Sequence, residues 1–95
     1  MSVYFIAQIK IEDPSRYNLY LNECDAVFSR YNGRYLAVDP APEILEGRWN
    51  YSRSVLIEFP SEQDFRSWYE SPEYQKILKH RLAGAVCDTT LVHGK

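Results

Sequence analysis

The segment from Glu58 to Ile77, EFPSEQDFRSWYESPEYQKI, constrains the fold more than any other part of this 95-residue chain. An apolar strand ends at Pro60. Ser61 then begins a helix, because its hydroxyl can accept a hydrogen bond from an early helical N–H group. The helix stops and restarts at Ser71, which caps the second piece, while Pro72 takes the first helical position, where its missing N–H costs nothing. The segment therefore predicts a broken, aromatic-rich helix directly after a strand.

The N-terminal third of the chain predicts a strand followed by an amphipathic helix. Apolar residues occupy every second position between Val3 and Ile11, so one face of this strand is fully apolar and the other is mixed. Asp13 and Pro14 are typical of a helix N-terminus. Apolar residues then recur at spacings of three and four up to Tyr31, which indicates a helix of about 18 residues. We expect Gly33 to end this segment in the left-handed C-terminal position.

The remaining elements complete the order β-α-β-β-α-β. The predicted strands are Arg34–Val38, Ser54–Phe59 and Val86–Val92, with a short strand extension at Glu43–Glu46. Two right-handed βαβ crossovers interlock into a ferredoxin-like α+β sandwich, which is a four-stranded antiparallel sheet with two helices on one face. A chain of this length forms a single domain, residues 1–95.

The sheet face that the helices leave uncovered decides how the chain assembles. Strand alternation places five residues on it: Tyr4, Ile6, Gln8, Leu56 and Glu58. This face is too apolar for a surface that meets water. A two-fold dimer with facing sheets buries the apolar members and lets the polar members pair. We therefore expect a homodimer, with a solvated sheet face as the alternative. The aromatic-rich sheet face also leaves open a third function, that of a purely structural interaction module.

Charge and hydropathy exclude several classes of partner. The chain has 11 basic and 13 acidic side chains and a net charge of −2, without a cluster of either sign, so we expect no nucleic-acid surface. No apolar run approaches the ~20 residues that span a bilayer, and the N-terminus lacks the pattern of a signal peptide. Cys24 and Cys87 form no metal-binding motif. We expect a cytoplasmic protein without a metal or cofactor.

Four segments resemble a known family. They are YFIAQIKIEDPSRYNLY, YNGRYLAV, EILEGRW and IEFPSEQDFRSWYESPEYQKI, together with the terminal strand. In this order they resemble the bacterial family named domain of unknown function 1330 (DUF1330), of the dimeric α/β-barrel superfamily. The resemblance implies a face-to-face dimer and a small, mostly apolar pocket between sheet and helices, but it implies no activity. The segment Val38–Pro42 departs from the glycine-rich turn of many relatives, and its two prolines stiffen the chain.

Polar and aromatic side chains indicate where a ligand binds. Arg34 and Arg53 begin strands on either side of the middle connection, and Glu46 lies between them in sequence. An Arg–carboxylate pair there holds a loop closed, or a free Arg receives a substrate carboxylate. Trp49 in the same connection is a lid over a ligand, a clamp on a dimer partner or a ring packed on the surface, and the sequence leaves these alternatives open. The full set of candidate ligand-binding residues is Arg34, Glu46, Trp49, Arg53, Trp68, Tyr74 and Arg81.

Two functional hypotheses remain open. The first is a protein that binds a small apolar or aromatic acid without catalysis. The second is a cofactor-free enzyme similar to the monooxygenases or isomerases of the superfamily, in which Glu58 is the weak candidate for a base with a raised pKa. No nucleophile elbow, phosphate loop or HExxH motif occurs. His80 lies between two basic residues near a helix C-terminus, which favours a solvated face over a haem or metal ligand.

Overall fold

The computed structural model describes residues 1–95 and has the element order that the sequence predicts. The strands are β1 (Val3–Ile11), β2 (Arg34–Asp39), β3 (Arg53–Phe59) and β4 (Ala85–His93), and the helices are α1 (Pro14–Phe28), α2 (Glu62–Tyr69) and α3 (Pro72–Gly84). All neighbouring strands are antiparallel, in the order β2-β3-β1-β4. This is the ferredoxin-like α+β sandwich. None of the three helices is long and apolar enough to cross a membrane.

The helices begin at the capping residues that the sequence indicates. Asp13, Ser61 and Ser71 cap α1, α2 and α3 by accepting a hydrogen bond from the backbone N–H three residues later, at 3.2, 3.1 and 3.1 Å. Caps of this kind contribute about 1 kcal/mol each. Pro72 starts α3 directly after its cap. The predicted break in the second helix is therefore confirmed as the boundary between α2 and α3.

Aromatic rings fill the space between the inner sheet face and the helices. Trp68 is 2% exposed and lies at the centre of this cluster. Its ring centroid is 4.2 Å from that of Tyr74, 5.4 Å from Phe59, and 5.6 Å from both Phe5 and Phe28. Most of these rings meet at a tilt or edge to face, which contributes about 0.5–1.5 kcal/mol per pair beyond the buried area. Trp68 thus ties α2 and α3 to the sheet and to α1.

The end of α1 differs from the prediction. The helix has 15 residues and ends at Phe28, before Tyr31. Gly33 is not left-handed, because the only residue with positive φ is Gly47, at 85°. Packing explains Gly33 instead: a Cβ atom there would lie 2.6 Å from ring atoms of both Phe28 and Phe59. Close approach to the aromatic core, rather than backbone conformation, therefore requires the glycine.

The connection between β2 and β3 contains no strand, so the extension predicted at Glu43–Glu46 is wrong. This segment is exposed and pairs with no other strand. At its end the connection returns to the sheet, where the Tyr51 hydroxyl donates a hydrogen bond to the Asp88 carboxylate of β4 and Ser52 N donates to Ile9 O at 2.9 Å. Asp88 lies opposite Gln8 and so shares the outer face of the sheet with it.

We expect Gly33→Ala to lower the free energy of unfolding by about 1–3 kcal/mol, because the added methyl group overpacks the site between the two phenylalanine rings. Urea denaturation followed by circular dichroism measures this loss.

Phe28→Leu replaces the ring that the new methyl group meets with a smaller side chain. The double variant Gly33→Ala/Phe28→Leu should therefore lose less stability than the two single variants combined. Strictly additive losses would show that contact with Phe28 is not the cause.

Candidate functional site

A cavity of about 450 Å³ lies between the inner face of the sheet and α1. Fifteen residues line it, and 12 of them are hydrophobic. This size falls within the range of roughly 300–1,000 Å³ that small-molecule sites occupy. The apolar pocket that the family resemblance implies is therefore present between sheet and helices.

Small side chains in the middle of the sheet leave the space open. Ala7 of β1 pairs with Val55 of β3, and both line the cavity. These two side chains fill much less volume than the aromatic rings that pack nearby. The next pair along the same face is Ile9 with Arg53, which brings a basic side chain to one end of the cavity.

A bulge in β2 turns two further side chains towards the cavity. Tyr35 pairs with Ile57 and Val38 pairs with Val55, and the register shifts between Tyr35 and Ala37. Because the bulge adds one residue, Tyr35 and Val38 share a face despite their odd spacing. They remain 38% and 45% exposed, so β2 forms the mouth of the cavity.

The inner end of the cavity carries two arginine side chains without counter-ions. Arg81 of α3 is 2% exposed, and its Nε has no hydrogen-bond partner. The Nε of Arg53 is also buried and unpartnered. The ion pairs of the protein involve other residues. Since a guanidinium stays protonated in proteins, the cavity contains two uncompensated positive charges.

Two tyrosines place neutral hydroxyl groups beside Arg81. The hydroxyls of Tyr20 and Tyr74 are 2.8 Å apart, and the Arg81 guanidinium lies 5.8 Å from the ring centroid of Tyr20. Burial raises the pKa of Tyr20 well above its ordinary value and raises the pKa of Tyr74 to about 12. Both hydroxyls therefore stay protonated at neutral pH. Because one of them donates its proton to the other, the pair has one hydroxyl proton left to donate, and Tyr20 is the member that lines the cavity.

The mouth carries the only carboxylate of the cavity, Asp25 of α1. The Sγ of Cys24 lies 3.7 Å from its Oδ1. Burial raises the pKa of the Cys24 thiol to about 11. Burial also raises the pKa of Tyr35, and the neighbouring Cys24 side chain and Asp25 carboxylate add to this rise. Thiol and phenol are therefore protonated, and the carboxylate is the charged group at this end.

Three of the seven predicted ligand residues line the cavity: Arg53, Trp68 and Arg81. Tyr74 is 1% exposed and does not line it, but its hydroxyl holds that of Tyr20, which does. The structure thus brings together residues from β3, α2 and α3 that are far apart in sequence.

The other predicted site residues lie outside the cavity. Arg34 Nη2 pairs with Glu58 Oε1 at 2.5 Å, whereas Glu46 is exposed and forms no ion pair, so an Arg–Glu46 pair is not formed. The hydrogen bond from Arg34 lowers the pKa of Glu58, the opposite of the raised pKa that the base hypothesis requires. Trp49 packs its ring 5.0 Å from that of Tyr51, and its role as lid or clamp stays a prediction.

Helix α1 contributes five lining residues that sequence reasoning misses: Tyr17, Tyr20, Leu21, Cys24 and Asp25. Tyr17, Tyr20 and Cys24 are spaced by three and four, which is typical of a stripe packed in the core, and Tyr17 and Cys24 are indeed buried. Asp25 gives the one available signal, because a carboxylate stands directly beside an apolar stripe. Sequence alone does not say whether that position faces water or a cavity.

Solved structures with the same fold include proteins of known and unknown function. A protein of unknown function from Rhodopseudomonas palustris matches with a TM-score of 0.79 and 18% identity, over 99% of this chain and 82% of that chain. SnoaB, a cofactor-independent oxygenase from Streptomyces nogalater, matches with a TM-score of 0.70 and 15% identity, over 99% of this chain and 93% of that chain. A dimeric ferredoxin-like protein of unknown function from Jannaschia sp. CCS1 matches with a TM-score of 0.77 and 10% identity, over 99% of this chain and 100% of that chain. At these identities the likeness shows the fold alone.

No curated protein matches the sequence. The model of one family, described as a domain of unknown function, matches residues 2–95. That span includes every strand and helix of the sandwich and every residue of the cavity. The chain therefore belongs to the DUF1330 family.

Proposed function

We propose that the protein binds a small apolar or aromatic carboxylic acid in the cavity between sheet and helices. The observation that carries the proposal is Arg81, a guanidinium that is 2% exposed and has no carboxylate partner. A buried charge without compensation is strongly unfavourable. A ligand carboxylate supplies the missing charge, and it matches the planar fork of a guanidinium in a bidentate pair.

The walls of the cavity support an apolar body for the ligand. Phe5, Ala7 and Trp68 are nearly fully buried and face the interior, so they offer apolar and aromatic contact area. Arg53 provides a second positive charge near the inner end. An acid with a flat ring places its ring against these walls and its carboxylate against the arginines.

We expect Arg81→Met to weaken binding of arene carboxylates by about tenfold or more, because a charge-assisted hydrogen bond is lost. The stability of the free protein should stay the same or rise, since methionine removes an uncompensated charge while keeping much of the side-chain volume. Isothermal titration calorimetry with benzoate, naphthoate and cinnamate measures binding, and thermal unfolding measures stability.

Arg66→Met is the matched control, because Arg66 is half exposed on α2 and its ion pairs with Glu62 and Glu70 lie on the surface. The neutral amides of the same acids should bind the wild-type protein more weakly than the acids. Unchanged affinity in Arg81→Met, or no binding of any acid in the panel, would contradict the proposal.

A cofactor-free oxygenase or isomerase is the second candidate. The geometry that favours it is the protonated Tyr20 hydroxyl in the cavity lining together with Arg81, since such donors stabilise an enolate or phenolate that develops on a bound substrate. Asp25 replaces Glu58 as the candidate base, because it is the carboxylate that lines the cavity, at its mouth. Turnover of an enolisable acid, measured as oxygen uptake or product formation, distinguishes this candidate from simple binding.

We further propose that the chain forms a homodimer through the outer face of its sheet, in a cytoplasmic setting that suits its two free cysteines. Tyr4 lies opposite Glu58 and donates a hydrogen bond to it at 3.2 Å, and Ile6 lies opposite Leu56. Gln8 completes the five predicted interface residues on this face. Similar folds from Jannaschia sp. CCS1 and Bacteroides fragilis are described as dimeric, which supports the proposal.

We expect Leu56→Arg to convert the dimer to a monomer, because a charge in the middle of the facing sheets is desolvated without a partner. Light scattering coupled to size exclusion measures the mass. Leu82→Arg is the matched control, since Leu82 is 62% exposed on α3, away from the sheet. A dimer that persists in Leu56→Arg, or a wild-type monomer, would exclude this interface.

A further inference from the structure

We propose that the ligand carries a hydroxyl group at the end opposite its carboxylate, and that Asp25 accepts a hydrogen bond from that hydroxyl. This inference rests on the proposed binding of an aromatic acid. Its basis is the opposite charge of the two ends of the cavity, with Arg53 and Arg81 at the inner end and Asp25 at the mouth. An acid whose only polar group is its carboxylate uses one end and leaves the other without a ligand partner.

The two ends are well separated along both elements that line the cavity. Arg53 begins β3 and Ile57 lies four residues further on, opposite Tyr35, so the two positions on the strand are about 13 Å apart at the usual rise. On α1, Tyr17 and Asp25 are eight residues apart, about 12 Å along the helix axis. Both lengths describe a similar separation between the basic and the acidic end of the cavity lining. This separation fits a flat skeleton with polar groups at its two tips.

The packing of α3 on α1 brings Arg81 to the N-terminal half of α1, because a Cβ atom on Gly84 would lie 2.6 Å from Tyr17 N and the Arg81 guanidinium lies 5.8 Å from the Tyr20 ring centroid. Burial raises the pKa of Tyr17, and the nearby charges of Arg53 and Arg81 oppose that rise. Asp25, by contrast, has Cys24 and Tyr35 as its neighbours. The helix therefore runs from the basic end of the cavity to the acidic end.

Charge balance selects a neutral donor at the mouth. Two guanidinium groups and one carboxylate are the only charged groups that line the cavity. A ligand with one carboxylate and a neutral hydroxyl completes the balance. A zwitterion with an ammonium group leaves one cation uncompensated, and a dicarboxylate places a like charge beside Asp25, so both are disfavoured.

Asp25 has acceptor capacity for such a hydroxyl. Its side chain is in no ion pair of the protein. The Cys24 thiol approaches one carboxylate oxygen at 3.7 Å, a long and weak contact. A carboxylate offers about four lone-pair sites on its two oxygens, so the neighbouring thiol and phenol do not saturate it.

Isothermal titration calorimetry with cinnamate and para-hydroxycinnamate tests the inference. We expect the wild-type protein to bind para-hydroxycinnamate about tenfold more tightly, because hydrogen bonds to a charged acceptor are among the stronger ones. Asp25→Ala should reduce this preference to less than about twofold, and the ratio of the two affinities is the readout because the loss of a negative charge acts on both acids alike. Glu23→Gln, a change of an exposed carboxylate on α1 outside the cavity, should keep the full preference.

The outcomes separate this inference from the function on which it rests. Equal affinity of the wild-type protein for the two acids overturns the role of Asp25 and leaves the binding of acids intact. A preference that survives in Asp25→Ala overturns it in the same way. Binding of neither acid overturns both proposals. Asp25 is exposed and alanine favours helix, so thermal unfolding should show a folded variant.

Discussion

The buried guanidinium of Arg81 is the constraint on which the site depends, and the broken second helix is what places it. Ser71 Oγ accepts a hydrogen bond from Tyr74 N at 3.1 Å and donates one to Trp68 O at 2.8 Å. The break is therefore held from both sides, and α3 leaves it in a fixed direction. Arg81 follows Tyr74 by two helical turns, so both residues lie on the same face of α3, towards α1 and the cavity.

The same arrangement explains how a small domain keeps an open cavity. A chain of this size buries a modest share of its surface, so it has few core contacts to lose. Here the aromatic cluster around Trp68 concentrates the packing between the sheet, α2 and α3, while Ala7 and Val55 leave space beside it. The densely packed aromatic cluster around Trp68 therefore lies directly beside the open cavity. The packed rings of this cluster support the side chains that line the cavity.

The fold was predictable because its signals are local. Caps at Asp13, Ser61 and Ser71 and the alternation in β1 depend on residues a few positions apart, and they determine where elements begin and which face is buried. The role of Gly33 was predicted wrongly because a contact with a residue far away in sequence determines it. Gly33 is required by Phe59, which lies 26 residues further along the chain, and no local pattern reports that contact.

The sequence indicated which types of residue bind a ligand, but not which of them meet in space. The presence of Arg53, Trp68 and Arg81 among candidate ligand residues follows from their chemistry, but their convergence depends on the sheet order and on the direction of α3. Tyr35 enters the cavity through a bulge, and the partner of Arg34 is Glu58 on a neighbouring strand. Such pairings are set by strand register, which the hydrophobic pattern indicates only in outline.

Because side chains alternate along each strand, the two faces of the sheet carry different residues. In β1, Ala7 points to the cavity, whereas Ile6 and Gln8 point to the outer face. The Arg34–Glu58 pair lies on that outer face, so its charges stay outside the cavity and leave the arginines within it uncompensated. The sheet thus carries the paired charges of Arg34 and Glu58 on its outer face and the unpaired Arg53 on its inner face, where Arg81 of α3 adds a second positive charge to the cavity.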